Sequence, residues 1–210
     1  MSNPSEIKCK WLKIEEIRKI TDKIRSKYWP ENTYPINIEK IIESRIGLDI
    51  IPEPSLKMDA YLRSDSGIAV NQEQYMDSRY DNRLRFSLAH ELGHFILHKD
   101  ICDNFKFNSE EEYIEFYNTL SEQDYQGFEC QANEFAGGLL VPREILINQV
   151  EIIFNETYDI LKKNNRLDLL ETNTQEIFMR QSEKIARFFG VSTRVIEIRV
   201  LEREKIWPPY

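Results

Sequence analysis

The sequence predicts an α+β fold, mainly helical, in which a small three-stranded sheet packs against one helix that carries all 3 histidines of the chain. Three observations predict it. Apolar residues recur at helical spacing through most of the 210 residues. Three short runs in the first half alone have strand character, and turn residues bound them. The run His90-Glu91-Leu92-Gly93-His94, followed by His98, lies on one of the helical stripes just after those strands.

Taken in order, Trp11, Leu12, Ile14, Ile17, Ile20, Ile24 and Tyr28 form a helical stripe that ends before Pro30. A second helix starts at Asn37, an N-cap residue, and stops at Gly47. Residues 48–51 form a strand bounded by Pro52 and Pro54. Residues 59–63 and 68–71 form two more, joined by a turn through Ser64-Asp65-Ser66-Gly67. The edge of such a sheet can accept an extended peptide as an added strand. Leu84, Leu88, Leu92 and Phe95 place the histidine motif on a mostly buried helix over 80–97. Phe128, Ala132, Phe135, Ala136, Leu139 and Leu140 mark another helix. Pro142 suits the first turn of a helix running to about residue 154. Residues 162–174 are polar and read as a loop or frayed helix. Residues 174–189 and 193–203, separated by Gly190-Val191-Ser192, have helix–turn–helix spacing with Ser192 as N-cap. The expected organisation is an N-terminal helix over 1–30, a main domain over 31–160, and a C-terminal helical element over 161–210 packed on it.

The motif matches H-E-x-x-H. On a helix, positions i and i+4 share a face, so His90 and His94 reach a single ion. Glu91 stands beside the first ligand as a base that takes a proton from water. Zinc is the metal this spacing suits, and peptide hydrolysis the chemistry. The bland alternative is two unrelated surface histidines. A catalytic zinc takes three protein ligands. His98 lies about 12 Å along the axis from His90, too far for one straight helix to supply all three. It reads instead as an imidazolium at the helix C-terminus. A third ligand at the next histidine position of the longer H-E-x-x-H pattern would fall on Asp100. The better candidate is Glu129, with Glu134 as rival. Asn133, one turn from Glu129, can hydrogen-bond the outer nitrogen of a ligand histidine. Glu129 as a merely solvated residue stays open on composition alone. Cys130 turns off the ligand face and reads as a small core residue.

Residues 86–98, followed by Glu129-Cys130-Gln131-Ala132-Asn133-Glu134-Phe135-Ala136-Gly137-Gly138-Leu139-Leu140-Val141-Pro142, resemble the ImmA/IrrE family of metallopeptidases. Upstream, Pro35-Ile36-Asn37-Ile38 and Gly47-Leu48-Asp49-Ile50 resemble that family's first helix and strand, and residues 185–192 its closing helical element. The similarity covers about 30–205. It implies a zincin-like fold with a Zn2+ site of His90, His94 and Glu129, and Glu91 as general base. It also implies regulatory proteolysis of a protein partner, a helix-turn-helix repressor of a mobile element, prophage or stress regulon. The connection between His98 and Glu129 is longer and more acidic than the family's usual one.

Composition bounds the remaining classes. The N-terminus lacks a basic region followed by an apolar run, so no signal peptide is expected. No stretch approaches the ~20 apolar residues of a membrane span. Cys9, Cys102 and Cys130 are odd in number and far apart, as in a reduced, cytoplasmic protein. The net charge of −8 argues against direct nucleic-acid binding. Residues 100–134 hold ten acids against Lys106 alone, a local net of −9. That run reads as a solvated insertion, or as a surface that attracts a basic partner. Residues 176–205 carry seven bases and five acids, a weak basis for DNA contact. A non-catalytic, zinc-containing binding module and a DNA-binding regulator are the two readings outside peptidase chemistry. For the oxyanion, Tyr61, Tyr80 and Tyr125 are candidates.

Overall fold

The computed structural model describes residues 7–63, 67–99, 101 and 107–209. Most of the expected turn at 64–67, together with Asp100 and Cys102, lies outside them. The chain divides into two compact units, Met1–Leu140 and Val141–Tyr210. The 160/161 division expected from sequence falls inside a continuous helix, Arg143–Lys163.

The first unit is mainly helical around a three-stranded sheet. Helix α1 spans Ile14–Tyr28. Helix α2, Ile38–Lys40, widens into π-helical turns over Ile41–Ile46. Its ends are set locally: the Asn37 side chain accepts from the Lys40 N–H, and Gly47 takes φ of 85° at the stop. Strands β1 (Asp49–Glu53), β2 (Ala60–Leu62) and β3 (Gly67–Asn71) form a sheet of order β1-β3-β2. β1 runs parallel to β3, with Ile51 opposite Ala69; β2 runs antiparallel, with Tyr61 opposite Ala69. Pro52 cannot donate to a ladder, which suits β1 to an edge. β3 lies in the centre, and Ile68, Ala69 and Val70 are fully buried.

Helix α3 (Gln72–Tyr75) and a 3-10 turn (Ser78–Tyr80) lead into α4, Asp81–Leu97, the helix of the histidines. Strand β2 packs against α4, so the sheet lies where the sequence predicts it. Helix α5 spans Glu110–Thr119, and α6 spans Glu122–Leu140. α6 packs along α4 on one side and α1 on another. Gly93 makes the α4–α6 approach close: a Cβ there would stand 3.1 Å from Phe135 Cδ1 and 3.2 Å from Ala132 Cα. Along α1, Arg18 pairs with Glu134, and Arg25 donates to the Gly138 carbonyl.

The acidic segment is built into this unit. Tyr113 and Phe116 on α5 join Leu56, Tyr61, Phe107 and Phe128 in a buried cluster. The Glu110 carboxylate accepts from the Lys57 and Met58 N–H groups, tying α5 to the approach to β2. Asp124 accepts from the Cys9 N–H at 2.8 Å, and its own N–H donates to Ser121 Oγ at the start of α6.

The second unit contains α7 (Arg143–Lys163), α8 (Asp168–Thr172), α9 (Thr174–Phe189) and α10 (Thr193–Glu197), which widens into π-helical turns over Ile198–Arg203. α7 runs past residue 154, and its buried face, Leu146, Val150 and Ile153, continues to Thr157. Gly190, with φ of 62°, ends α9, and Ser192 caps α10 by accepting from Val195. Among the described residues, no helix is long and apolar enough to cross a membrane.

Candidate metal centre

Three side chains from two helices converge at one point. His90 Nε2 and His94 Nε2, one turn apart on α4, stand 3.0 Å from each other. From α6, Glu129 Oε1 lies 3.3 Å from His94 Nε2, and Glu129 Oε2 lies 3.4 Å from His90 Nε2. Among the described residues, these three form the cluster whose donor atoms all fall within 4.8 Å of one another. The dimensions fit a metal. Three donors about 2.0–2.2 Å from a common tetrahedral centre stand about 3.3 Å apart. Two nitrogens and a carboxylate are also a donor set zinc accepts.

The rivals for the third position go elsewhere. Glu134 turns away on α6 toward Arg18, at 3.6 Å. Asp100 lies outside the described residues. His98 does not behave as the imidazolium expected at the helix end. It occupies the C-cap position, but it is 6% exposed, and burial pushes its pKa down to about 3. Its ring packs edge-on against Phe128 and faces His94 and Gln131. Cys130, expected in the core, is exposed instead.

The outer nitrogens of both candidate ligands have partners. Asn133 Oδ1 stands 3.1 Å from His90 Nδ1. His94 Nδ1 has His98 Nδ1 at 3.0 Å and Tyr117 Oη at 3.4 Å. With Asn133 Oδ1 as acceptor, His90 carries a proton on Nδ1, and Nε2 is the nitrogen it turns to the centre. Burial opposes charge on Glu129, but the neighbouring His90 and His94 rings outweigh it and hold the carboxyl well below its usual range.

Glu91 is the buried acid at the site. It is 4% exposed, and its Oε2 has no hydrogen-bond partner among the described residues. Burial is the main cause that pushes its pKa up from 4.5 to about 8. The Glu129 charge adds to this, while His90 and the Leu62 N–H work against it. A group poised near neutral pH, with one unpartnered oxygen, can take and return a proton.

Two cavities flank these residues. One of about 410 Å³ is lined by Met58, Tyr113, Ile114, Leu120, Tyr125 and Glu129. The other, of about 360 Å³, is lined by Asp59, Ala60, Arg83, Ser87 and Asn133. Met58, His90 and Glu91 border both, so space for a chain lies on either side of the histidine pair, alongside β2. Of the tyrosines singled out from sequence, Tyr125 lines the larger cavity. Tyr61 is buried and turned to Glu53, and Tyr80 caps α4 on the surface. Sequence reasoning assigned no site role to Tyr113, Tyr117 and Gln131, since no motif spacing marks them and their contacts at the site form only on folding.

Several bases of the second unit are paired with acids. Arg180, Lys184 and Arg187 pair with Glu176, Glu156 and Glu183, and Arg194 pairs with Glu197 and Glu202. Arg199 is buried against Glu204 at 2.9 Å.

The family model of peptidase family M78, described as the IrrE N-terminal-like domain, matches residues 43–201. No curated protein matches the chain. Among solved structures, a Mycobacterium tuberculosis transcriptional regulator resembles it with a TM-score of 0.48 and 14% identity, over 91% of this chain and 48% of the other. The chain therefore spans about half the length of that protein.

Proposed function

The chain belongs to peptidase family M78, the IrrE N-terminal-like family, and on that premise we propose that it is a zinc-dependent endopeptidase of the cytoplasm that cuts a regulatory protein. The observation that carries this reading is the triangle of His90, His94 and Glu129, with the buried, half-unpartnered carboxylate of Glu91 beside it. A zinc ion held there would act as Lewis acid on the scissile carbonyl and bring the pKa of water toward ~7.

The protein's own groups divide the rest of the work. His90, His94 and Glu129 are the ligands, and Asn133 orients His90. Glu91 takes the proton of the attacking water and delivers it to the leaving amine. The Leu62 N–H holds one face of that carboxylate in place. An extended substrate lies alongside β2, with residues on both sides of the cut accommodated by the flanking cavities. Space on both sides favours cutting within a chain rather than at its end. A helix-turn-helix repressor is the substrate class that the family resemblance supports. The ion-paired arginines of α9 and α10 favour this over direct DNA binding.

Glu91→Gln separates catalysis from mere binding. The variant keeps the ligand set, so it should load zinc and fold as the wild type does. Cleavage of a repressor should fall by about 10²-fold or more, the usual contribution of a general base. Undiminished function in that variant would favour a non-catalytic zinc-containing binding module.

A further inference from the structure

We infer that His98 and Gln131 form a relay that keeps the proton of His94 on Nδ1, leaving Nε2 bare for the metal; this rests on the metal reading proposed above. The chain of bonds begins at a backbone carbonyl, which only accepts. The Lys10 carbonyl accepts from Gln131 Nε2 at 2.9 Å, and Cys9 Sγ lies 3.3 Å from the same nitrogen. That contact holds the amide with Oε1 on its other side. Oε1 faces His98 Nε2 at 3.4 Å, so this His98 nitrogen carries the proton. His98 Nδ1 then presents a lone pair to His94 Nδ1, 3.0 Å away. Two imidazole nitrogens at that separation are one donor and one acceptor, and His98 is the acceptor. The proton of His94 therefore sits on Nδ1. Tyr117 Oη, at 3.4 Å from the same nitrogen, fits as a weaker acceptor.

The opposite edge of the His94 ring, Nε2, is then bare toward His90 Nε2 and Glu129. Were the His98 proton on Nδ1 instead, His94 would have to accept there and carry its own proton on Nε2, into the site. Water does not blur the choice: His94 is 2%, Gln131 3% and His98 6% exposed. The two candidate histidine ligands are thus set by different devices. Asn133 acts directly on His90. Two buried side chains anchored on Lys10, in the segment before α1, act on His94. His98 and Gln131 are positioning residues that fix ligand orientation through another side chain.

Nitrogen-15 NMR of the metal-free, full-length protein near pH 8 reads which ring nitrogens carry hydrogen. The expected result is His98 protonated on Nε2 and bare on Nδ1, with a nitrogen–nitrogen coupling across its bond to His94. A His98 proton on Nδ1 would overturn the relay, whether or not the protein binds metal. Zinc affinity, measured by competition with a chromophoric chelator, gives the second readout. His98→Phe should bind about tenfold to hundredfold more weakly than wild type. His98→Gln, whose amide oxygen can accept from His94, should recover part of the loss. Wild-type affinity in His98→Phe would overturn the relay. If that variant does not fold, Gln131→Met keeps the side-chain length and carries the same test, with a smaller expected loss and wild-type affinity again contrary. A wild type with no zinc affinity would strike at the peptidase reading, and the tautomer of His98 would still decide the relay.

Discussion

Glu91 is a carboxyl in a place where charge is costly, and this sets a pH dependence that the metal-free protein should display. Its pKa is raised in the folded state, from 4.5 to about 8, by burial first and then by the Glu129 charge. The folded protein therefore binds more protons than the unfolded chain between those values, and stability falls as pH rises through that window. Glu91→Gln removes this term. Denaturant midpoints of the chelated wild type should decline between pH 4.5 and about 8, and the chelated variant should decline less and be the more stable near pH 8. Parallel profiles for the two proteins would contradict the burial argument. At this scale the i, i+4 histidine pair was legible, because a helix fixes its own geometry locally. The roles of His98 and Gln131 were not. They depend on a partner 33 residues away and on a backbone carbonyl further still.

At the scale of elements, the distance between α4 and α6 decides whether Glu129 reaches the histidines. Gly93 permits that distance. Gly93→Ala would gain about 1 kcal/mol of helix propensity. The new methyl would meet the Ala132 backbone and Phe135 at 3.1–3.2 Å, and such overpacking costs about 1–3 kcal/mol. The expected outcome is a lower Tm together with weaker zinc binding, since the same shift moves Glu129. A higher Tm with unchanged zinc affinity would contradict the close-approach account. The stripes of α1, α4 and α6 and the caps of α2 were readable because each signal lies within a few residues. The order in the acidic segment was less so. Its helix α5 is fixed by Tyr113 and Phe116 meeting residues from β2 and β3, and by Glu110 holding backbone groups at 57 and 58.

Across the molecule, the acid excess is not one undivided surface. Of the ten acids in 100–134, Glu110, Asp124 and Glu134 make internal contacts and Glu129 faces the candidate metal centre. Glu111, Glu112, Glu115 and Glu122 remain exposed, and Glu122 lines the larger cavity. If that face attracts a basic substrate, Glu111, Glu115 and Glu122 changed together to Gln should slow repressor cleavage and flatten its salt dependence. Glu110 belongs in no such set, because its loss would release the segment before β2. Equal rates at every salt concentration would leave these acids as ordinary solvated surface.

The central claim is that three side chains of this chain hold one zinc ion. Metal analysis of the purified, zinc-replete wild type and of Glu129→Ala tests it most directly. About one zinc per wild-type chain, lost or much weakened in the variant, is the predicted result. A folded wild type without zinc would contradict the metal reading. Full occupancy in Glu129→Ala would contradict the ligand set drawn from the meeting of α4 and α6.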